Sequence, residues 1–259
     1  MALPHEVVQA FDAFCQQEVV LIASDFDGVL APFVTDPMAA RATKGTLKDL
    51  AALADLPRTH TAVVSGRDLD VLTELTGLPV DSTITRIGSH GAQSSRADEG
   101  AEALTSDEHA LLRRLTDDLH GVVDSHPGVR LEFKPKATVL HTRGQEPPVA
   151  DAAVQSALEV AQRHTGVTVL QGKDVVEMSV VTADKGTALM ALKAEVRAEA
   201  VLYFGDDVTD EHAFEVMGDD DVSVKVGSGE SAARYRLGTP DDVAEALGTL
   251  LRLRSQAVG

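Results

Sequence analysis

Tryptophan is absent from the chain, and aromatic residues make up only 3% of its 259 positions. Stacking platforms of the kind that hold unpaired bases are therefore not expected. There is one cysteine, Cys15, which excludes an intramolecular disulfide and a cysteine-built zinc cluster. Positive charge is scarce: 23 Lys and Arg stand against 41 Asp and Glu, a net charge of −18. Proteins that neutralise nucleic-acid phosphates need the opposite balance, so no nucleic-acid partner is expected. No apolar run approaches the roughly 20 residues that span a bilayer, so no membrane association is expected. The opening Met1-Ala2-Leu3-Pro4-His5-Glu6 lacks the basic and apolar stretches of a secretory signal, and a cytoplasmic location is expected.

What is present is enough apolar material, 44%, for a substantial core. Short β-rich apolar runs alternate with amphipathic helical stretches, which predicts an α/β fold with a Rossmann-like parallel sheet. Strands are expected at Val19–Ser24, Thr61–Ser65, Ile84–Gly88, Val201–Phe204 and Val222–Val226. Helices are expected at Gly45–Leu56, Leu69–Leu75, Lys185–Ala194, Thr209–Met217 and Asp241–Leu253.

The middle of the chain reads differently, as helix–strand–strand followed by helix–strand–strand. Ser106 precedes a helix over Asp107–His120; strands follow at Arg130–Lys134 and Thr138–Thr142. A second helix, Ala150–His164, leads to strands at Val167–Gln171 and Val175–Val180. This predicts a smaller α+β domain over 105–183, inserted between the halves 1–104 and 184–259 of the larger one. The polar flanks Ser94–Gly100 and Thr182–Asp184 are candidate hinges.

Four short motifs sit where strands end or helices begin. Ser24-Asp25-Phe26-Asp27-Gly28 follows the first apolar run. In an open parallel sheet that carboxyl edge is where ligands bind. Two carboxylates so close repel unless a cation or a proton reconciles them, although a calcium loop or a solvated turn would use the same residues. Val63-Val64-Ser65-Gly66-Arg67 could cradle a phosphate on backbone N–H groups or merely cap a helix. Asp184-Lys185-Gly186 opens a helix; alone, its lysine reads as a surface charge. Gly205-Asp206-Asp207-Val208-Thr209-Asp210-Glu211 places four acids within six residues, more than a helix cap requires. Such oxygen donors suit Mg²⁺. A dianionic substrate near these carboxylates would meet repulsion of about 4 kcal/mol per charge pair at ~4 Å. Cations are therefore required, and Lys185 is the only lysine beside one of these motifs.

Taken in order, the four motifs resemble the haloacid dehalogenase superfamily of Mg²⁺-dependent phosphotransferases. The resemblance implies that Asp25 attacks phosphorus to form an aspartyl-phosphate, and that Asp27 protonates the leaving oxygen and then activates water. It implies that Ser65 holds the transferring phosphoryl group, that Gly66 and Arg67 bind substrate beside it, and that Lys185 balances charge between that group and Asp25. Mg²⁺ would lie between Asp25, the Asp27 carbonyl and Asp206. The inserted domain is similar to the superfamily's second type of cap, an α/β lid over the leaving group.

Longer strings narrow the resemblance to trehalose-6-phosphate phosphatases. These are Asp25-Phe26-Asp27-Gly28-Val29-Leu30-Ala31-Pro32, Gly88-Ser89-His90-Gly91, Leu131-Glu132-Phe133-Lys134, His141-Thr142-Arg143, Gly172-Lys173 with Glu177, and the run Gly205–Phe214. The likeness implies that Glu132, Lys134, Arg143, Lys173 and Glu177 grip glucose hydroxyls and that His90 touches substrate. From the residues alone, a salt-bridge ladder would account for the charged cap strands and a satisfied core histidine for His90; His141 reads as structural. Gln93, Phe133 and Met178-Ser179 depart from the family pattern. The expected substrate is a small sugar phosphate, trehalose 6-phosphate, supplied by a separate synthase chain, and a monomer is expected. The alternatives are sucrose 6-phosphate or mannosyl-3-phosphoglycerate as substrate, a sugar phosphomutase, or a non-catalytic sugar-phosphate sensor.

Overall fold

The computed structural model describes residues 3–96, 104–172, 174–181 and 184–259. They fall into two compact units, Met1–Asp98 with Ala183–Gly259, and Glu99–Thr182. The first unit begins with α1 (His5–Cys15), β1 (Val20–Asp25), α2 (Thr46–Ala54), β2 (Thr59–Val64), α3 (Leu69–Thr76), β3 (Ile84–Gly88) and β4 (Gln93–Ser94). The second contains α4 (Ser106–Ser125), β5 (Arg130–Lys134), β6 (Ala137–His141), α5 (Pro147–Arg163), β7 (Thr168–Gly172) and β8 (Val175–Ser179). The chain then completes the first unit with α6 (Lys185–Glu195), β9 (Ala200–Gly205), α7 (Val208–Val216), β10 (Val222–Val226), β11 (Tyr235–Leu237) and α8 (Pro240–Val258).

In the first unit seven strands line up as β11-β10-β9-β1-β2-β3-β4. All neighbours are parallel except β4, which runs antiparallel to β3. β1 lies between β2 and β9, so the chain winds outward in opposite directions from it. That is a topological switch point, where a crevice opens beyond the carboxyl ends of the strands. Val20–Ala23 of β1 are all apolar because both faces of the strand are covered. Val20 and Ile22 pack in one cluster with Phe11, Leu50, Leu53, Leu247 and Leu250 from α1, α2 and α8. Leu21 and Ala23 pack in another with Leu189, Leu192, Ala213 and Phe214 from α6 and α7. The strands Ile84–Gly88 and Val222–Val226 have the bounds the sequence predicts. Helix α1 and strands β4 and β11 were not expected from it.

The second unit is an antiparallel sheet ordered β5-β6-β8-β7. Helices α4 and α5 lie on it through Leu115, Leu119, Ala153 and Ala157, which meet Leu140, Val176 and Met178. Helix α4 starts one residue earlier than the sequence suggests, because Thr105 and not Ser106 is its cap. The Thr105 hydroxyl accepts from the Glu108 N–H (3.3 Å) and the Glu108 carboxylate accepts from the Thr105 N–H (2.7 Å). Only a cap three residues before Glu108 permits this reciprocal pair. Among the described residues no helix is long and apolar enough to cross a membrane.

At the amino edge of the larger sheet, Arg254 of α8 is 1% exposed. Its Nε donates to the Thr59 hydroxyl at 3.0 Å, and its terminal nitrogens donate to the carbonyls of Cys15, Gln17, Glu18 and Arg58 at 2.6–3.0 Å. All five guanidinium N–H groups are used, and the C-terminal helix is thereby tied to the entries of β1 and β2. Arg254→Leu removes the donor from two buried and three partly buried acceptors and is expected to cost about 3 kcal/mol in urea denaturation; a loss below about 0.5 kcal/mol would show that the helix is held by packing alone.

Candidate active site

Asp25 is the last residue of β1 and is 4% exposed. Its Oδ1 accepts from the Phe26 N–H at 2.6 Å and its Oδ2 from the Lys185 ammonium at 2.8 Å. Beyond it the chain folds over: the Gly28 N–H donates to the Ala31 carbonyl and the Ala31 N–H to the Phe26 carbonyl, both at 2.8 Å. Gly28 makes this turn at φ +78°, and a Cβ there would fall on the Asp206 carboxylate. Glycine thus serves both the turn and the close approach of another strand end.

Lys185 opens α6 behind the cap Asp184, which accepts from the Thr187 N–H at 2.9 Å. Its ammonium, 1% exposed, also donates to Asp210 Oδ1 at 2.8 Å and lies 3.6 Å from Asp207 Oδ1. Asp207 caps α7 and Asp210 completes the capping box. Asp210 is saturated. Its Oδ1 accepts from Lys185 and from the Tyr203 hydroxyl (2.7 Å), and its Oδ2 accepts from the N–H groups of Asp206 (2.7 Å) and Asp207 (3.0 Å).

Burial pushes the Asp25 carboxyl well up, with Lys185 pulling against it and Asp210 and Asp207 adding to it. Burial alone would discharge Lys185, but Asp25, Asp210 and Asp207 together hold it protonated above its usual range. One ammonium shared by three carboxylates keeps its proton; ionised Asp25 is the costlier partner. Burial also raises Asp206, to about 7, helped by Asp210 and Asp207. Asp207, whose side chain is nearly half exposed, is held at about 2 by Lys185 and by hydrogen bonds from Thr209 and Asp210, which outweigh its partial desolvation. Burial and the neighbouring Asp210 push the Tyr203 phenol well up, so it stays a donor.

Carboxylate oxygens of Asp25, Asp206 and Asp210 lie within 4.8 Å of one another. Asp206 Oδ1 is buried and has no hydrogen-bond partner among the described residues. Asp25, Asp207 and Asp210 share the Lys185 ammonium, and the Lys225 ammonium pairs with Glu211, so among the described residues the Asp206 carboxylate has no ion pair of its own. An orphaned buried carboxylate oxygen among oxygen-only donors fits a hard divalent cation such as Mg²⁺. Asp210 stands in this group where the Asp27 side chain does not; both Asp27 oxygens meet Arg67 instead.

That pair is bidentate: Arg67 Nε donates to Asp27 Oδ2 at 2.6 Å and a terminal nitrogen to Oδ1 at 2.7 Å. Ser65 follows β2, is 1% exposed, and its hydroxyl accepts from the Arg67 N–H at 3.2 Å. The imidazole of His90 lies directly on Gly66, where a Cβ would overlap the ring. Ser89 and His90 hold left-handed backbone (φ 48° and 54°), a strain that accumulates at functional sites. Asp25, Asp27, Ser65, Gly66, Arg67, His90, Lys185 and Asp206 all line one cavity of about 310 Å³, joined by Phe33 and Asp207.

A model of the trehalose-phosphatase family matches residues 23–241. The chain belongs to the trehalose-phosphatase family. The trehalose-6-phosphate phosphatase of Escherichia coli K12 is 33% identical over 221 residues, 84% of this chain and 81% of that protein. The bifunctional trehalose-6-phosphate synthase/phosphatase of Thermoproteus tenax is 32% identical over 229 residues, 87% of this chain. A solved trehalose-6-phosphate phosphatase structure from Aspergillus fumigatus matches with a TM-score of 0.71 at 27% identity, covering 97% of this chain and 98% of that one. The chain spans 31% of the Thermoproteus protein and 61% of the mycobacterial trehalose-phosphate phosphatases it matches.

In this trehalose-phosphatase family member, the expected sugar contacts fall on the smaller unit. Register pairs Glu132 with Val139 and Val139 with Glu177, so the two glutamates share a row across three strands. Lys134, two residues beyond Glu132, is on the same face. Lys134 Nζ donates to Glu177 at 2.8 Å, and His141 Nε2 meets Glu132 at 2.7 Å. Arg143 is exposed in the turn after β6. Lys173 lies outside the described residues. The departures have local accounts: Gln93 Oε1 accepts from the Leu69 N–H (2.9 Å), and Phe133 stacks on His120 at 5.9 Å.

The sequence reading missed Tyr203, the anchoring role of Asp210, Phe33 at the cavity and a second lysine. Lys225 donates to the Asp206 carbonyl at 2.6 Å, so Lys185 is not the only lysine at these motifs. The one advance signal was a lysine inside a buried strand, which is rare unless paired.

In the metal-free protein the folded state holds the Asp206 proton up to about pH 7, whereas the unfolded chain releases it near 3.8. Between those values the unfolded state binds fewer protons, so Asp206 lowers stability as pH rises. In EDTA, Asp206→Asn is expected to be more stable than wild type above about pH 7 and equal to it below about pH 4. A gap that does not change with pH would contradict this assignment.

Proposed function

We propose that this chain hydrolyses trehalose 6-phosphate to trehalose and inorganic phosphate, with Mg²⁺ as cofactor and an aspartyl-phosphate on Asp25. The observation that carries the reading is Asp25 at the end of β1, 2.8 Å from the Lys185 ammonium, beside Asp206 with its unpartnered oxygen. Family membership and the trehalose-phosphatase relatives support the choice of sugar.

Asp25 and Asp206, with the Asp27 carbonyl, would hold Mg²⁺, which when bound draws charge from the phosphoryl oxygens. The rest is done by the chain. Lys185 and the Phe26 N–H orient the Asp25 carboxylate. One Asp25 oxygen bonds to phosphorus while the ester P–O bond breaks, and Asp27 gives its proton to the departing sugar oxygen. Asp27, now a carboxylate, takes a proton from water as that water's oxygen attacks phosphorus. The bond between Asp25 and phosphorus breaks, releasing inorganic phosphate and the original carboxylate. Ser65 donates its hydroxyl to the transferring group. Arg67 engages both Asp27 oxygens in the free site, so Asp27 must leave it to carry a proton. A phosphate dianion offers the guanidinium an equivalent bidentate partner. On the smaller unit, Glu132, Lys134, Arg143, Lys173 and Glu177 bind sugar hydroxyls, which both donate and accept.

Asp25→Asn is isosteric and is expected to lower turnover at least about a thousandfold with an unchanged circular dichroism spectrum. Retained turnover would refute Asp25 as nucleophile. Glu177→Ala is expected to lower kcat/KM for trehalose 6-phosphate about tenfold or more while leaving an aryl phosphate within about threefold. Equal losses on both would make Glu177 structural. Against sucrose 6-phosphate and mannosyl-3-phosphoglycerate, the wild type is expected to prefer trehalose 6-phosphate by about tenfold or more in kcat/KM; no preference would leave the phosphatase chemistry and remove the sugar assignment.

A further inference from the structure

Asp206 is gripped on both sides of its backbone. Its N–H donates to Asp210 Oδ2 at 2.7 Å, and its carbonyl accepts from the Lys225 ammonium at 2.6 Å. Its side chain, by contrast, keeps a buried oxygen without a hydrogen bond. Lys225 belongs to β10, pairs in register with Gly205 and is 6% exposed. Its ammonium also reaches Glu211 Oε1 at 3.3 Å. The other Glu211 oxygen accepts from the Ser231 hydroxyl (3.1 Å) and the Ala232 N–H (2.8 Å). A continuous chain of contacts thus runs from the β10–β11 connection through Glu211 and Lys225 to the peptide that carries Asp206.

We infer that Lys225 is a positioning residue for the Asp206 carboxylate, fixing its backbone so that the side chain meets a divalent cation. The inference rests on the Mg²⁺ reading of the site given above. A buried ammonium at this place has two opposed effects on a cation. Its charge repels the ion and, acting alone, lowers affinity. Its hydrogen bond to the Asp206 carbonyl limits the rotation of the ligand and raises affinity, as supporting partners of metal ligands do. The two roles predict opposite signs when the lysine is removed. Field alone gives tighter binding in the variant; positioning gives weaker binding.

The test measures Mn²⁺ binding without substrate, counting the free ion by electron paramagnetic resonance, with Mg²⁺ as competitor. It is run near pH 9, above the range in which Asp206 holds a proton (about 7), so that proton competition does not enter. Lys225→Met and Lys225→Gln are expected to weaken both ions on the order of tenfold. Lys225→Arg, which can still donate to the carbonyl, is expected to stay within about threefold of wild type. The Gln variant keeps a polar group in the strand and secures the comparison if the Met variant does not fold. Unchanged or tighter binding in the Met or Gln variant overturns the positioning role while leaving the metal site intact. Absence of binding to the wild type, displaceable by Mg²⁺, overturns the metal reading itself and this inference with it.

Discussion

One buried ammonium ties together the carboxylates at the candidate site. Lys185 is shared between Asp25 and Asp210 at 2.8 Å, with Asp207 at 3.6 Å. Removing one partner from such a cluster costs about 3–5 kcal/mol, since the remaining charges are left in a poor solvent. The same ammonium fixes which Asp25 oxygen is engaged, and through Asp210 it links the ends of β1 and β9 to the start of α7. Lys185 cannot balance the whole cluster. The uncompensated charge, and the oxygen of Asp206 that has no hydrogen-bond partner among the described residues, are what would give a divalent cation its place.

The sheet makes this convergence possible. β1 is flanked by β2 and β9, so Asp25, Ser65 and Asp206 emerge side by side although they are far apart in the chain. Helix starts then supply the rest: α6 contributes Lys185 in its first position, and α7 contributes Asp207 and Asp210 as cap and box. Each acid thus serves local helix geometry and the common site. Asp27 stands apart, held by Arg67 through two hydrogen bonds. Two carboxylates two residues apart thus differ in partner and environment, which suits the distinct roles of nucleophile and acid/base proposed for them.

Much of this was legible in the chain, for physical reasons that differ by element. β1, β3 and β10 announce themselves because strands buried on both faces are rich in Val, Ile and Leu, although Arg86 and Lys225 interrupt the last two. α1 carries a helical spacing in Val7, Phe11, Phe14 and Cys15, yet it lacks a side-chain cap and was not read as a helix. β11 has three residues, too few for a period to show. The carboxylates and Lys185 are visible as motifs at strand and helix ends. Their pairings are not: Arg67 meets Asp27 across 40 residues, and Lys185 meets Asp25 across 160. Spacing reports a shared face within one element and is silent on which side chains from different elements share a proton or a charge.

The central claim is that Asp25, oriented by Lys185, becomes covalently bonded to phosphorus. The direct measurement is rapid quenching of the protein with trehalose 6-phosphate labelled in its phosphate, followed by peptide mapping. The account requires an acid-stable, hydroxylamine-labile label on the peptide carrying Asp25, formed and lost at least as fast as turnover. Phosphate release with no label on that peptide, or with label on another residue, would contradict it.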